Sequence, residues 1–175
     1  MKLKSLSIND MEQIRQWRNE QLQMLRTSFP LTKEMQEDFY NNEICNRQSN
    51  SRYWGVWTTC ENVAMDLIGM CGIENIQWEN RLGEISLLLN PKLELGFCMK
   101  EALNLLLDKA FFYLNLENVF TEVYDCSLFK QFWIKIYNKY NNGIAAPKLP
   151  NKKYYNGVFY DSLHLNINKE KYSSL

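Results

Sequence analysis

The sequence predicts an α/β domain built on a mixed sheet, and three features carry that expectation. A strand, helix, loop, helix order opens the chain, three strand-like runs joined by short polar turns follow, and a strand, helix, strand, helix run closes on an Asn-Gly hairpin. With 175 residues, 46% hydrophobic and 14% aromatic, the chain fits one domain spanning its whole length and buries roughly 70% of the surface its unfolded form exposes. Such a core needs neither disulfides nor metal, and the composition excludes a disordered protein.

Taken in order, LKSLSI reads as a short strand, and Asn9 followed by Glu12 offers a capping-box start to a helix carrying Met11, Ile14, Trp17, Leu22 and Leu25 inward. Ser28, Phe29 and Pro30 break that pattern, and Thr32 caps a second helix through about Ile44. RYWGVWT, DLIGMCGIENI and GEISLLL then form an antiparallel meander, ended by Asn90-Pro91 because proline cannot donate to a ladder. Met99, Leu103, Leu106, Leu107, Ala110 and Leu114 recur at helical spacing. VFTEVY alternates as a strand of mixed polarity, and Leu128, Phe129, Phe132, Trp133, Ile136, Tyr137 and Tyr140 mark one face of another helix. After an irregular proline-containing loop, KYYNGVFYDSLHLNI reads as a hairpin turning at Asn156-Gly157, followed by a short polar tail, KEKYSSL.

Twenty Lys plus Arg balance twenty Asp plus Glu, so no overall field steers the protein to phosphate backbones or anionic membranes. No apolar run approaches the ~20 residues of a membrane span, and MKLKSLSIND turns polar too soon for a signal peptide. A cytoplasmic protein is expected. The five cysteines are irregularly spaced, without a CxxC pair, and His164 is the one histidine, which removes the usual zinc site and most histidine-dependent triads. Each cysteine reads as a small buried hydrophobe, and His164, alternating with Leu163 and Leu165, reads as a surface imidazole on the polar face of a strand.

The pieces RQWRNE, FPLT, LIGMCGIENI with GEISLLLNP, EALNLLLDKAF, ENVFTEVY and LPNKKYYNGVFYDSL, in that order and over nearly the whole chain, resemble the GCN5-related N-acetyltransferase (GNAT) superfamily. The likeness is strongest to its ribosomal-protein, spermidine and nucleotide-sugar acetyltransferase branch. It implies an antiparallel N-terminal meander, a C-terminal hairpin, and two central parallel strands, GEISLLL and ENVFTEVY, that splay apart around acetyl-coenzyme A. It also implies backbone donors near Leu88 and Leu89 for the thioester carbonyl, and pyrophosphate binding by the loop and helix start that follow. In that loop the family's R/Q-x-x-G-x-G/A becomes Glu94-Leu95-Gly96-Phe97-Cys98-Met99, flanked by Lys92 and Lys100. Either Glu94 points to solvent and the loop N–H groups still hold phosphate, or the acyl donor has been lost or changed.

Aminolysis of a thioester needs a base, an oxyanion donor and a proton for the thiolate. The resemblance puts Glu84 in the base position, with Glu74 in reserve beside Asn75. It implies a tyrosine on the helix after VFTEVY: Tyr137 in one register, but Trp133 if the family's asparagine falls at Cys126. Acceptor recognition is expected from Arg26, Thr27, Ser28 and Phe29, from the turn Trp78 to Arg81, and from Asn151 to Tyr155. The expected function is acetyl transfer from acetyl-CoA to a primary amine of a small molecule, such as an amino sugar or nucleotide sugar. Two alternatives stand beside it: a transferase acting on nucleic acid or protein with an altered donor, and an inactive binding module. The nucleic-acid version requires a continuous basic surface joining Lys148, Lys152 and Lys153 to Arg26 or Arg81. The terminal hairpin and exposed aromatics are compatible with a homodimer.

Overall fold

A computed structural model describes residues 1–59, 65–93, 95–141 and 143–174. Among them, seven strands form one sheet: β1 (Lys2–Lys4), β2 (Arg52–Trp57), β3 (Leu67–Gln77), β4 (Leu82–Leu89), β5 (Asn118–Tyr124), β6 (Lys148–Tyr155) and β7 (Val158–Asn168), in the order β1-β2-β3-β4-β5-β7-β6. Every neighbouring pair is antiparallel except β4 and β5, which run parallel. The helices are α1 (Met11–Asn19), α2 (Lys33–Phe39), α3 (Leu95–Asp108), α4 (Lys130–Asn141) and α5 (Lys169–Ser173). The mixed sheet, meander, parallel pair and terminal hairpin agree with the sequence reading.

Side chains alternate across the strands, so the sheet builds two cores. Ile73, Ile85, Leu89, Val119 and Val123 face α3 and α4, whose Leu103, Leu107, Trp133 and Tyr140 fill that side. Met70 and Leu88 face the other way and pack against Met11, Ile14 and Trp17 of α1. By the same alternation, Glu74, Glu84, Ser86, Glu122 and Tyr124 lie on the α1 face.

Local signals explain most boundaries. Thr32 caps α2, its Oγ1 accepting from Met35 N–H at 3.3 Å. Asn156 and Gly157 both have positive φ, 49° and 82°, the pairing a two-residue type I′ hairpin demands. Four expectations are corrected. The first helix is started by Ser7 and Asp10, whose Oδ2 accepts from Ser7 N–H at 2.7 Å, while Glu12 is taken by Arg15 at 2.7 Å. Leu128 is exposed in the turn before α4 rather than on its buried face. The KLPNKK run is strand rather than loop: it begins β6, an edge strand that tolerates Pro150. The polar tail folds as α5, with Tyr172 against Phe111 at 5.3 Å between ring centroids and its hydroxyl donating to Asp108 at 2.9 Å.

Of the cysteines, Cys71 is a buried hydrophobe as expected, Cys45 is exposed, Cys98 and Cys126 are half-buried, and Cys60 lies outside the described residues. No helix among those residues is long and apolar enough to cross a membrane, and no three of their His, Cys, Asp or Glu side chains group to hold a metal ion.

Candidate active site

β4 and β5 pair only at their starts, Leu82 with Asn118 through Glu84 with Phe120. Beyond Glu84 the two strands separate, and the gap opens into a cavity of about 290 Å³ bounded by both strands, by α1 and the segment after it, and by Met99 and Trp133 from the far side. Asn90 N–H donates to the Ile68 carbonyl at 2.9 Å, and Leu89 opposes Gly69. Backbone groups alternate along an antiparallel ladder, so Leu88 bonds toward β3 while Leu87 and Leu89 turn theirs toward the splay. The Leu89 carbonyl accordingly accepts from Gln21 Nε2 at 2.9 Å instead of from a strand. Of the two backbone donors expected near a thioester, Leu89 faces the cleft and Leu88 does not.

Gly69 makes this approach possible. A Cβ there would lie 2.5 Å from the Leu88 carbonyl oxygen, a backbone atom that cannot swing aside. Gly69→Ala is expected to cost about 1–3 kcal/mol and to narrow the splay, read as a lower denaturation midpoint together with weakened coenzyme A binding.

At the mouth of the cleft, Glu74 and Glu84 are directly opposed on β3 and β4. Glu84 is buried; one oxygen is ion-paired to Arg26 and the other accepts from Asn75 Nδ2 at 3.2 Å. Asn75 reaches it because the irregularity between Glu74 and Gln77 gives Asn75 a φ of 50°, a conformation asparagine tolerates. Arg26 Nε also lies 3.7 Å from Glu122 Oε2, so one guanidinium spans carboxylates from both splayed strands. Glu122 Oε2 accepts from the Tyr124 hydroxyl at 3.0 Å. Its Oε1 lies 3.3 Å from His164 Nε2, its register partner on β7. His164 is half-exposed, but its Nε2 is buried beside that carboxylate oxygen without a hydrogen bond between them.

Charge states follow from these neighbours. Burial raises the pKa of Glu74, aided by the charge of Glu84 and opposed by hydrogen bonds from Ser86 and Tyr53. For Glu122, burial works the same way, but the Ser162 hydroxyl beside it, the hydrogen bond from Tyr124 and the charges of His164 and Arg26 outweigh it and hold the pKa low. Because the native Glu74 binds protons more tightly than the unfolded chain does, its stabilising contribution is complete below 4.5 and is lost as pH rises through the raised value. Glu74→Gln is expected to remove this part of the fall in stability, measured by urea unfolding from about pH 4 to pH 7.

The segment carrying Arg26 is held from β6. Lys153 is buried, and its Nζ donates to the carbonyls of Leu22 and Leu25 and to Ser28 Oγ, the last at 2.7 Å. Burial pushes its pKa down. Ser28 thus serves as an internal anchor, while Phe29 is exposed beside it. Trp78, Asn151 and Tyr155 do not line the cavity. Trp78 lies at the β3–β4 turn, its Nε1 donating to Asn50 at 3.2 Å; Asn151 N–H donates to Asp161 at 3.0 Å; and Tyr155 sits 5.7 Å from the Lys153 ammonium. On α4, Trp133 lines the cavity, whereas Tyr137 is buried in the core beside it.

Glu94 lies outside the described residues, as does the side chain of Leu95. The first turn of α3 carries Gly96, where a Cβ would meet nothing within 4 Å, an exposed Phe97, a half-buried Cys98 and a buried Met99 at the cavity wall. The first turn of this 14-residue helix supplies N–H groups of the kind that hold phosphates. Cys126 does not line the cavity; its Sγ donates to the Gln23 carbonyl at 3.2 Å.

Of the basic residues meant to join into a nucleic-acid surface, Lys152 is exposed and the others are engaged. Lys148 bridges Asp125 and Asp161 at 3.1 and 3.0 Å, Arg81 pairs with Glu117 at 2.7 Å, and Lys153 and Arg26 are held as above. Sequence reasoning missed Glu122 and Tyr124, although the mixed polarity of VFTEVY marked a strand with one polar face.

The model for the acetyltransferase (GNAT) domain matches residues 1–125. The chain belongs to the GNAT acetyltransferase family. As such it is an N-acetyltransferase. Solved structures agree on the fold. A variant of the spermidine/spermine N-acetyltransferase SpeG from Vibrio cholerae is 21% identical, with 99% of this chain and 96% of that one covered and a TM-score of 0.79. A chimera of the Vibrio cholerae spermidine N-acetyltransferase with hSSAT is 20% identical, covers both chains completely and has a TM-score of 0.80. No curated protein matches the sequence.

Proposed function

We propose that this GNAT protein, one domain over its whole length, transfers an acetyl group from acetyl-CoA to a primary amine carried by a small cationic molecule. The supporting observation is the charge at the cleft mouth. Glu74, Glu84 and Glu122 line the cavity with Arg18 and Arg26; Arg26 is paired with Glu84 and near Glu122, which leaves a carboxylate excess that attracts an ammonium and repels phosphate. This favours a di- or polyamine over a nucleotide sugar or nucleic acid, and the spermidine acetyltransferases of the same fold make spermidine the first amine to test.

Acetyl-CoA supplies an activated acyl carbon with a good leaving group. The chain's own residues do the rest. Glu84 draws the acceptor's ammonium to the splay and takes its proton, directly or through water, so that a neutral nitrogen attacks. Glu74 adds a second carboxylate beside it. The Leu89 N–H is aimed where carbonyl oxygen charge develops, and Met99 and Trp133 exclude water from the far side.

Titration calorimetry with acetyl-CoA tests the reading. Binding near micromolar strength, about 8 kcal/mol, followed by turnover with spermidine or a related amine, supports it. No detectable binding overturns it in favour of another donor or a purely binding role.

A further inference from the structure

We infer that Glu122 seats a second ammonium of the acceptor beside the nitrogen that reacts at Glu84, and that Arg26 occupies this pair of carboxylates until the acceptor displaces it. The inference rests on the acetyltransferase reading above and narrows its acceptor to an amine with a second positive charge a short carbon chain away. It starts from the way Arg26 is held. Nη2 is paired with Glu84 on β4, and Nε lies 3.7 Å from Glu122 Oε2 on β5. Glu84 and Glu122 each keep 10% of their side chains in solvent, whereas Arg26 keeps 56%. The guanidinium therefore enters from the solvent side and covers two buried carboxylates that both line the cavity. Because one guanidinium contacts both, they also lie within reach of two nitrogens joined by a few carbons.

The segment around Arg26 is fixed in its main chain and free in this one side chain. Lys153 Nζ donates to the carbonyls of Leu22 and Leu25 and to Ser28 Oγ. Arg18, the other arginine at the cavity, donates to the carbonyls of Thr27 and Phe29 at 3.3 and 2.8 Å. Backbone on both sides of residue 26 is thus tied down, and rotation of a long, largely exposed side chain withdraws the guanidinium into water without moving the loop.

Charge decides what replaces it. A guanidinium already more than half in water loses little on leaving, but a buried carboxylate stripped of its cation is costly. An acceptor with one ammonium covers Glu84 and leaves Glu122 without its guanidinium. An acceptor with two covers both, and Glu122 Oε2 keeps its hydrogen bond from Tyr124 at 3.0 Å. Lys153, with its ammonium 5.0 Å from the Tyr124 ring centroid, is engaged with the loop and stays in place. Glu122 and Arg26 are specificity-determining residues here, and neither exchanges a proton with the reacting atoms.

The test compares wild type with Arg26→Gln and Glu122→Gln, using spermidine and butylamine, a monoamine with the length of spermidine's longer arm. Steady-state rates at saturating acetyl-CoA give kcat and KM for each amine. Calorimetry gives the binding of each amine to protein loaded with coenzyme A, which has no acetyl group to transfer. Wild type should prefer spermidine in both. Arg26→Gln should tighten both amines and lower both KM values by about fivefold, the worth of one partly exposed ion pair. Glu122→Gln should erase about as much of the preference for spermidine, weakening it while butylamine is unchanged or improved, a pattern that general damage to the cleft does not give. If Arg26→Gln raises KM or leaves it unchanged, Arg26 is not a displaceable occupant. If wild type shows no preference, or Glu122→Gln shifts both amines alike, the second seat is overturned. Arg26→Gln alters a largely exposed side chain, so its arm decides the occupant claim even where Glu122→Gln does not fold. The acetyltransferase reading survives either failure provided wild type binds coenzyme A and acetylates an amine; wild type that binds no coenzyme A overturns that reading instead.

Discussion

Replacing Glu84 by Gln is expected to lower kcat by about 10²- to 10⁴-fold with the folded protein intact. Glutamine keeps the shape and one acceptor oxygen for Arg26, whose side chain is 56% exposed and can rehydrate, so losing that ion pair costs little stability. What disappears is a group able to accept the acceptor's proton. Because Glu84 also attracts the cationic amine, KM should rise as well. Glu74→Gln serves as the control: it opposes Glu84 across β3 and β4 but does not contact Arg26, and its loss should be several-fold smaller. Equal activity in Glu84→Gln, measured with saturating acetyl-CoA, removes Glu84 from the mechanism and moves the role to Glu74.

Phe111→Ala should produce the largest loss of stability, about 3–5 kcal/mol. Phe111 is fully buried in the widened turn Lys109–Tyr113 that closes α3, packed into the main core and against Tyr172. Removing the ring leaves a cavity that neither neighbour can fill, since Leu107 and Leu116 are themselves fully enclosed. For a chain of this size the loss lowers Tm by roughly 6–20 °C, seen by calorimetry. Phe111→Leu, which fills most of the volume, should lose less than half as much. A small effect from the alanine variant would mean that Tyr172 and α5 do not hold this side of the core.

The elements were legible where short-range chemistry decides them. Thr32, Asn156-Gly157 and Asn90-Pro91 act within a turn, and the period of Met99 to Ala110 names the buried face of α3. The cleft was legible only in part. Glu84 and Arg26 were both singled out, but their pairing across 58 positions depends on Lys153 tying down the intervening segment. Lys153 itself read as part of a recognition segment, not as an internal tie. It is buried because the register shift between Leu149 and Lys153, with Asn151 at φ 54°, redirects the strand. Trp133 and Tyr137 lie four apart, so helical spacing places both on one face, and only the packing of α4 separates the cavity wall from the core. Glu122 and His164, 42 positions apart by number, are joined by β7 lying against β5, a pairing that no local pattern encodes.

The strand order also constrains how the protein is made. β7 fits between β5 and β6, yet it is synthesised after both. Until it leaves the ribosome, β5 presents an open edge, and Leu165 and Ile167, which complete the core beside Val119 and Val123, are missing. The nascent chain therefore carries a meander and two helices whose shared core still lacks the β7 side chains. Assembly of the sheet is a late and sudden event in synthesis, and the waiting intermediate, with its unpaired β5, is the species most in need of a chaperone's cover.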